Sequence, residues 1–241
     1  MPYKSSLHLH TAEDPTEQGF VKYTIYELID RASALDFKIL ALTCHNFFAY
    51  KNEYGDYAKN KGILLIPGIE ITIKKNDGTD AHVVVLNCNA GAKKIKNLND
   101  LKEYKKSHPE IFIIAAHPNF HFNVSLGLKT LEENIEIFDA IENSWFYCWL
   151  INLNNGAKRI AKKYHKPFIA TADLHQIKGL NQDYALIEAE NLTPSAIFTA
   201  IKNNRFTNYS EPKSLYLMFE FVWQTLLYQF TKPKSSENES N

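Results

Sequence analysis

Residues 39–45 read Ile-Leu-Ala-Leu-Thr-Cys-His, a short apolar run that ends on an imidazole. Read as a strand, the run places His45 at the C-terminal end, where parallel α/β barrels keep their chemistry. The same construction recurs along the chain. Residues 65–69 (Leu-Ile-Pro-Gly-Ile) lead to Glu70, residues 112–116 (Phe-Ile-Ile-Ala-Ala) to His117, and residues 168–172 to Asp173 and His175. Near the N-terminus, Leu7-His8-Leu9-His10 alternates, so a strand points both imidazoles to one side and both leucines to the other.

Working outward, strands are expected over residues 5–10, 38–43, 63–71, 81–87, 111–117, 139–143, 168–173 and 184–188. Helical patterns lie between them at 24–35, 97–107, 131–137, 152–164 and 194–203, the first opening on the capping-box pair Thr24 and Glu27. Strands alternating with helices predict parallel βαβ units. The exception is Asn76-Asp77-Gly78, a hairpin signal that predicts antiparallel pairing of its flanking strands. About seven strands fit either a compact distorted barrel or an open doubly wound sheet. The polar residues at the strand ends favour the barrel, and no Gly-rich phosphate loop supports a dinucleotide or P-loop site. The expectation is an α/β fold, a distorted (β/α)7 TIM-like barrel in one domain over residues 1–231, followed by a polar, disordered tail at 232–241.

With 241 residues, 45% of them hydrophobic, the chain can bury a sizeable core. Lys+Arg and Asp+Glu both number 27, so net charge gives no argument for a nucleic-acid or membrane partner. Cys44, Cys88 and Cys148 are odd in number and widely spaced, which argues against a disulfide framework, and the N-terminus has no signal-peptide pattern. A cytoplasmic location is expected. Residues 215–230 are strongly apolar, with Glu220 the one charge. That segment reads as a helix over about 214–230 that covers the barrel or joins two copies of the chain, in preference to an interfacial membrane anchor, and no stable membrane association is expected.

Glu70 lies in an apolar run where an uncompensated carboxylate is costly, and a cation offsets that cost. Taken singly, an H-x-H or a strand-end histidine is weak evidence. Six or more such groups at successive strand ends predict a shared metal site, and imidazole with carboxylate suits Mn, Fe or Zn better than Ca.

In order, His8-x-His10-Thr11, Leu42-Thr43-Cys44-His45, Pro67-Gly68-Ile69-Glu70, Ala115-Ala116-His117-Pro118 and Ala172-Asp173-Leu174-His175 resemble the motifs of the PHP (polymerase and histidinol phosphatase) superfamily, over about residues 4–205. The resemblance implies a distorted (β/α)7 barrel whose two or three divalent ions hydrolyse phosphate esters. It implies that His8, His10, Glu70 and Asp173 hold one ion, and that Glu70 bridges to a second held by His117 and His82. A third would use His45, His175 and an acid of the first motif. The family pattern H-x-H-T-x-x-S-D-G is replaced here by His8-Leu9-His10-Thr11-Ala12-Glu13-Asp14-Pro15. Asp14 is therefore the acid expected, with Glu13 the alternative. Cys44 stands where the family has an aspartate, and is read as a buried structural thiol in preference to a metal ligand.

These readings predict a metal-dependent phosphoesterase with Glu70, Asp173 and His175 in catalytic roles, acting on a small phosphomonoester, a nucleotide or a short oligonucleotide through a metal-activated hydroxide. The rivals are a metalloamidohydrolase, disfavoured because Glu70 fills the place of a bridging lysine, and a non-catalytic metal-binding module. His121 is read as either a phosphate contact or a surface residue. Only 34 residues separate His82 from His117, which leaves little room for an inserted cap.

Overall fold

The computed structural model describes residues 1–120 and 124–220, with 222 and 223. Among them nine strands form one sheet: β1 (Tyr3–Leu9), β2 (Phe37–Leu42), β3 (Leu64–Lys74), β4 (Asp80–Leu86), β5 (Phe112–Ala115), β6 (Ala140–Ser144), β7 (Phe168–Thr171), β8 (Asp183–Ile187) and β9 (Phe206–Ser210). The sheet order is β7-β6-β5-β4-β3-β2-β1-β8-β9, curled into a nearly closed barrel. Pairing is parallel along β1-β2-β3 and along β5-β6-β7. β4 runs antiparallel to both neighbours, and β8 and β9 are antiparallel as well, which is the distortion of the barrel. The helices are α1 (Ile25–Ala34), α2 (Asn52–Asn60), α3 (Leu98–Ser107), α4 (Leu128–Glu133), α5 (Asn154–Lys163) and α6 (Pro194–Lys202).

Local sequence explains the element ends. α1 starts on the expected capping box, with both reciprocal bonds between Thr24 and Glu27 present. The hairpin from β3 to β4 turns at Gly78, which adopts a left-handed φ of 81°, and the Asp77 carboxylate accepts from the backbone and hydroxyl of Thr79. α1, α5 and α6 stop without glycine. Asp36, His165 and Asn204 take the left-handed conformation after them, and their N–H groups return to carbonyls of the last turn.

Side-chain alternation sorts the barrel into an inside and an outside. Ile66 belongs to the interior cluster, as do Val84 and Leu86, Phe112 and Ile114, Ala140, and Ile169. Extending the same period of two along each strand reaches Glu70, His82, Glu142 and Thr171. The apolar foot and the polar mouth are thus one continuous set of inward positions. α6 covers the foot, where Phe198 stacks on Phe112 with centroids 4.7 Å apart.

The barrel closes in two ways. At the mouth the chain leaving β7 bonds to β1, with His10 N–H donating to Leu174 O (3.2 Å) and Leu174 N–H to His8 O (3.3 Å). At the foot, the Asn208 amide of β9 stands in for a strand against β7. It accepts from Ala170 N–H at 2.8 Å and donates to Phe168 O at 2.7 Å.

Three expectations need correction. α2 was not foreseen, because its sequence NEYGDYAKN buries only Tyr54 and Ala58. α4 begins at Leu128, earlier than the expected 131–137, because Gly127 (φ 78°) bonds back to Pro118 O and launches the helix there. β9 has the polar sequence FTNYS and was missed for that reason. Of the apolar terminal segment, residues 215–220 are helical, with Leu215, Tyr216 and Phe219 exposed. Residues 224–230 of that expectation, the tail at 232–241 and His121 lie outside the described residues. No helix among the described residues is long and apolar enough to cross a membrane.

The segment after β9 is pinned by a buried ion pair: Lys213 Nζ lies 2.6 Å from Asp183 Oδ2, and Ser210 donates to Asp183 Oδ1 at 2.6 Å. Burial pushes the Asp183 carboxyl up despite that ammonium group, so the pair sits in a costly environment. Lys213→Met would leave Asp183 buried without a counter-charge, and is expected to cost about 3–5 kcal/mol in urea unfolding. The double variant Lys213→Met/Asp183→Asn should recover most of the loss. Equal losses in the single and double variants would contradict this account.

Candidate metal centre

The mouth gathers side chains from five strands around one carboxylate. Glu70 is buried, and its two oxygens face different histidines. Oε2 lies 3.1 Å from His8 Nε2, 3.3 Å from His10 Nε2 and 3.0 Å from His45 Nε2. Oε1 lies 3.0 Å from His82 Nδ1 and 3.2 Å from His117 Nε2. His82 is the first inward residue of β4, and it reaches the mouth because β4 runs down the barrel while its neighbour β3 runs up.

Asp173 adds a second carboxylate, with Oδ1 3.5 Å from His8 Nε2, 3.3 Å from His10 Nε2 and 3.7 Å from His175 Nδ1. The imidazole of His10 lies near-parallel to those of His45 (4.2 Å) and His175 (4.4 Å), whose own centroids are 6.0 Å apart. Two of these residues sit on strained backbone: His117 at φ 25° and Asp173 at φ 41°. Non-glycine residues at positive φ persist where their surroundings fix them, as at functional sites.

What fixes His117 is a residue the sequence reading did not single out. Glu142, fully buried on β6, accepts the His117 N–H at 2.7 Å, accepts the Thr171 hydroxyl, and lies 3.4 Å from His8 Nδ1. Its signal was available, since Ala140-Ile141-Glu142 repeats the pattern of a carboxylate ending an apolar strand.

The first-motif acids separate. Glu13 caps α1 by accepting Ile25 N–H. Asp14 is buried behind His45: Oδ2 accepts the His45 backbone N–H at 2.7 Å and contacts Nδ1 at 3.0 Å, while Oδ1 accepts from both donors of Thr16. Glu17, not foreseen, faces the centre, with Oε2 3.4 Å from His175 Nε2 and Oε1 3.7 Å from His45 Nδ1. It lies in a turn seven residues past His10, outside any strand periodicity that could have flagged it. Cys44 contacts Thr11, and burial pushes its thiol up to about 12, as expected of a structural cysteine.

Three sets of donor atoms lie within 4.8 Å of one another: His8, His10, Glu70 and Asp173; His45, Glu70 and His82; and His10, His45 and His175. The fit to metal ions is also electrostatic. Both ring nitrogens of His8 and His10, Nδ1 of His117, Oε2 of Glu70 and Oε2 of Glu17 are buried without a well-directed hydrogen bond. Such atoms are costly unless something coordinates them.

Burial disfavours the imidazolium forms of His10, His45 and His175, but the surrounding carboxylates outweigh it and raise all three to about 9. His82 goes the other way, lowered by burial. Burial likewise opposes the charged forms of Glu70 and Asp173, yet His8 and its neighbours hold both well below the ordinary carboxylate range.

The family described as "PHP domain" matches residues 6–172. No curated protein matches the chain. Among solved structures, the chain resembles a two-domain protein from Bacteroides vulgatus that contains a predicted PHP-like metal-dependent phosphoesterase. The TM-score is 0.66 at 18% identity, over 93% of this chain and 70% of that one. It also resembles an amidohydrolase from Chromobacterium violaceum (TM-score 0.55, 15% identity, 84% of this chain, 97% of that one). A third similar structure is a lesion-specific endonuclease from Pyrococcus furiosus (TM-score 0.61, 12% identity, 92% of this chain, 66% of that one). At these identities the likenesses speak for the fold.

The raised histidines set a sign for pH dependence. Their contribution to stability in metal-free protein is complete below the ordinary histidine pKa and is lost as pH rises through about 9. The lowered carboxylates contribute above the ordinary carboxylate range and lose that contribution as pH falls. The melting temperature in the presence of chelator should therefore fall between about pH 6.5 and 9. Metal binding needs neutral imidazoles, so it should release protons, detectable as buffer-dependent heats in calorimetry. A metal-free melting temperature that rises over that range would contradict the assignment.

Proposed function

Because the chain belongs to the PHP domain family, we propose that it is a metal-dependent phosphoesterase that hydrolyses a phosphomonoester or a nucleotide phosphoester at this mouth. The observation that carries the reading is Glu70, one carboxylate whose two oxygens face two separate groups of imidazoles, the arrangement required to bridge a pair of ions. Divalent Mn, Fe or Zn ions bound there would bring the pKa of a water toward neutrality and offset the charge of the phosphoryl group in transfer.

The chain's own residues divide the remaining work. His8, His10 and Glu70 form the buried floor, with side-chain exposures of 0–1%. Asp173, His175, His45 and His82, exposed by 11–16%, form the rim that meets substrate. His117 completes the side facing Glu70 Oε1. Glu142 fixes the His117 backbone and the His8 ring, so it acts through its neighbours. Asp14 is assigned an orienting role in place of the ligand role expected from its position, because one oxygen is spent on His45 and the other on Thr16. Glu17 then supplies the acid of the third site, with His45 and His175.

A metalloamidohydrolase reading has less support. Glu70, and not a lysine, stands between the two groups of imidazoles.

The test is turnover of a phosphoester panel, with amides and lactams alongside, before and after chelation. Chelation should abolish phosphoester turnover, and Mn or Zn should restore it. Glu70→Gln and Asp173→Asn should each lower kcat by on the order of 10²–10³ with the circular dichroism spectrum retained. Glu17→Gln should weaken affinity for the last ion bound by roughly 10–100-fold. Undiminished phosphoester turnover at metal contents shown to be negligible would refute the proposal.

A further inference from the structure

The outer wall of the barrel carries a cleft of about 590 Å³ between α5 and β9, over the seam where Asn208 bridges to β7. It shares no residue with the donor sets of the metal centre. Its upper end lies at Asn143, Tyr147 and Asn152, on the exit of β6 and the loop after it, and its lower end at Lys166 and Asn204, near the foot.

Among the described residues no carboxylate lines this cleft. α5 (NNGAKRIAKK) contains no acid, and its Lys158 and Lys162 stand one turn apart on the face that forms the wall, with the small Ala161 between them. Their ammonium groups have no ion-pair or hydrogen-bond partner among the described residues, whereas Lys163, off the cleft on the same helix, is engaged by Glu132 at 2.6 Å. Lys166 continues the row past the helix end, its ammonium donating to Phe138 O at 2.6 Å. Charge is balanced over the whole chain but not along this wall.

The rest of the lining is amides and rings. Asn154 spends its amide on the backbone of Ser144 and Asn208 spends its own on β7, while Asn152 accepts the Asn154 N–H. The side chains of Asn143, Asn155 and Asn204 have no partner among the described residues. Tyr147, its hydroxyl fixed on Ser210 O, joins Phe168 and Phe206 in supplying apolar surface.

Cations one helical turn apart, about 6 Å, meet a row of anions, whereas a lone phosphate is held by donors that converge on it. Lysines act as point charges towards a backbone whose bases vary, free amides donate to phosphate and sugar oxygens, and rings take up bases. We propose that this cleft binds one strand of nucleic acid by its sugar-phosphate backbone, apart from the metal centre and independently of the phosphoesterase reading.

The test is fluorescence anisotropy of a labelled, phosphorothioate-linked oligodeoxythymidylate about twelve nucleotides long, which resists hydrolysis, titrated with the full chain loaded with manganese over a range of salt. Each lysine that meets a phosphate adds about 0.7 to the slope of log affinity against log salt, so Lys158→Ala/Lys162→Ala should flatten it by about 1.4. At low salt that variant should bind the strand on the order of tenfold more weakly and treat p-nitrophenyl phosphate as the parent does. Lys158→Arg/Lys162→Arg should keep the slope, and Lys163→Ala should leave it unchanged. A strand that does not bind, a slope indifferent to the double alanine variant, a loss as large from Lys163→Ala, or equal affinity for polyglutamate of the same length would overturn the assignment. Strand binding by a protein inert towards every phosphoester would sustain the cleft and sink the phosphoesterase reading. Phosphoester turnover without strand binding would do the reverse.

Discussion

Everything at the mouth answers to one buried carboxylate. Glu70 lies two inward steps along β3 from Ile66 of the apolar interior, where among the described residues no lysine or arginine pairs with it and five imidazoles do. A charged carboxylate at such depth is tolerable only with positive charge beside it. Protons on the histidines can supply that charge, as the raised values of His10, His45 and His175 indicate, and so can metal ions. Proton and ion therefore compete for the same nitrogens. His82, lowered by burial, is the imidazole that holds a proton least readily.

The surrounding fold can be understood as what is needed to bring those groups to one point. Parallel strands deliver His45, His117 and Asp173 at their C-terminal ends, and the reversed β4 delivers His82 from its N-terminal end. Glu142 does with a side chain what a strand could not. By accepting the His117 N–H it holds that residue at a backbone angle it would otherwise avoid. Asp14 likewise accepts the His45 N–H and contacts its ring nitrogen, which orients the imidazole.

Much of this was legible in the sequence through strand alternation. A residue two or four positions beyond a core residue points the same way, so Glu70 and His82 could be placed inside from Ile66 and Val84. In β1 the register shifts between Ser6 and Leu9, so Leu7 joins the interior cluster and Leu9 the outer one, against the expectation that both leucines share a side, and His8 and His10 were legible as a pair in spite of that shift. The hairpin after β3 and the capping box of α1 were likewise written in short local patterns. What escaped was whatever depends on distant partners. Glu17 sits in a turn, and only the folded arrangement of β1 and the β7 exit shows that it faces His175. The residues of β9 look like loop, and Asn208 becomes a strand substitute only when β7 is already beside it. Asp14 was visible as an acid near the site, but whether it faces an ion or braces a histidine depends on where Thr16 and the His45 backbone fall.

The Asn208 seam has a consequence for how the barrel can change. At the foot one side-chain amide, in place of a full ladder, supplies two hydrogen bonds between β7 and β9. The mouth is stitched separately, through Leu174 to β1. A chain opened at the foot of that seam, by new termini or by the gain or loss of an edge hairpin, would leave the histidines and carboxylates above it in register.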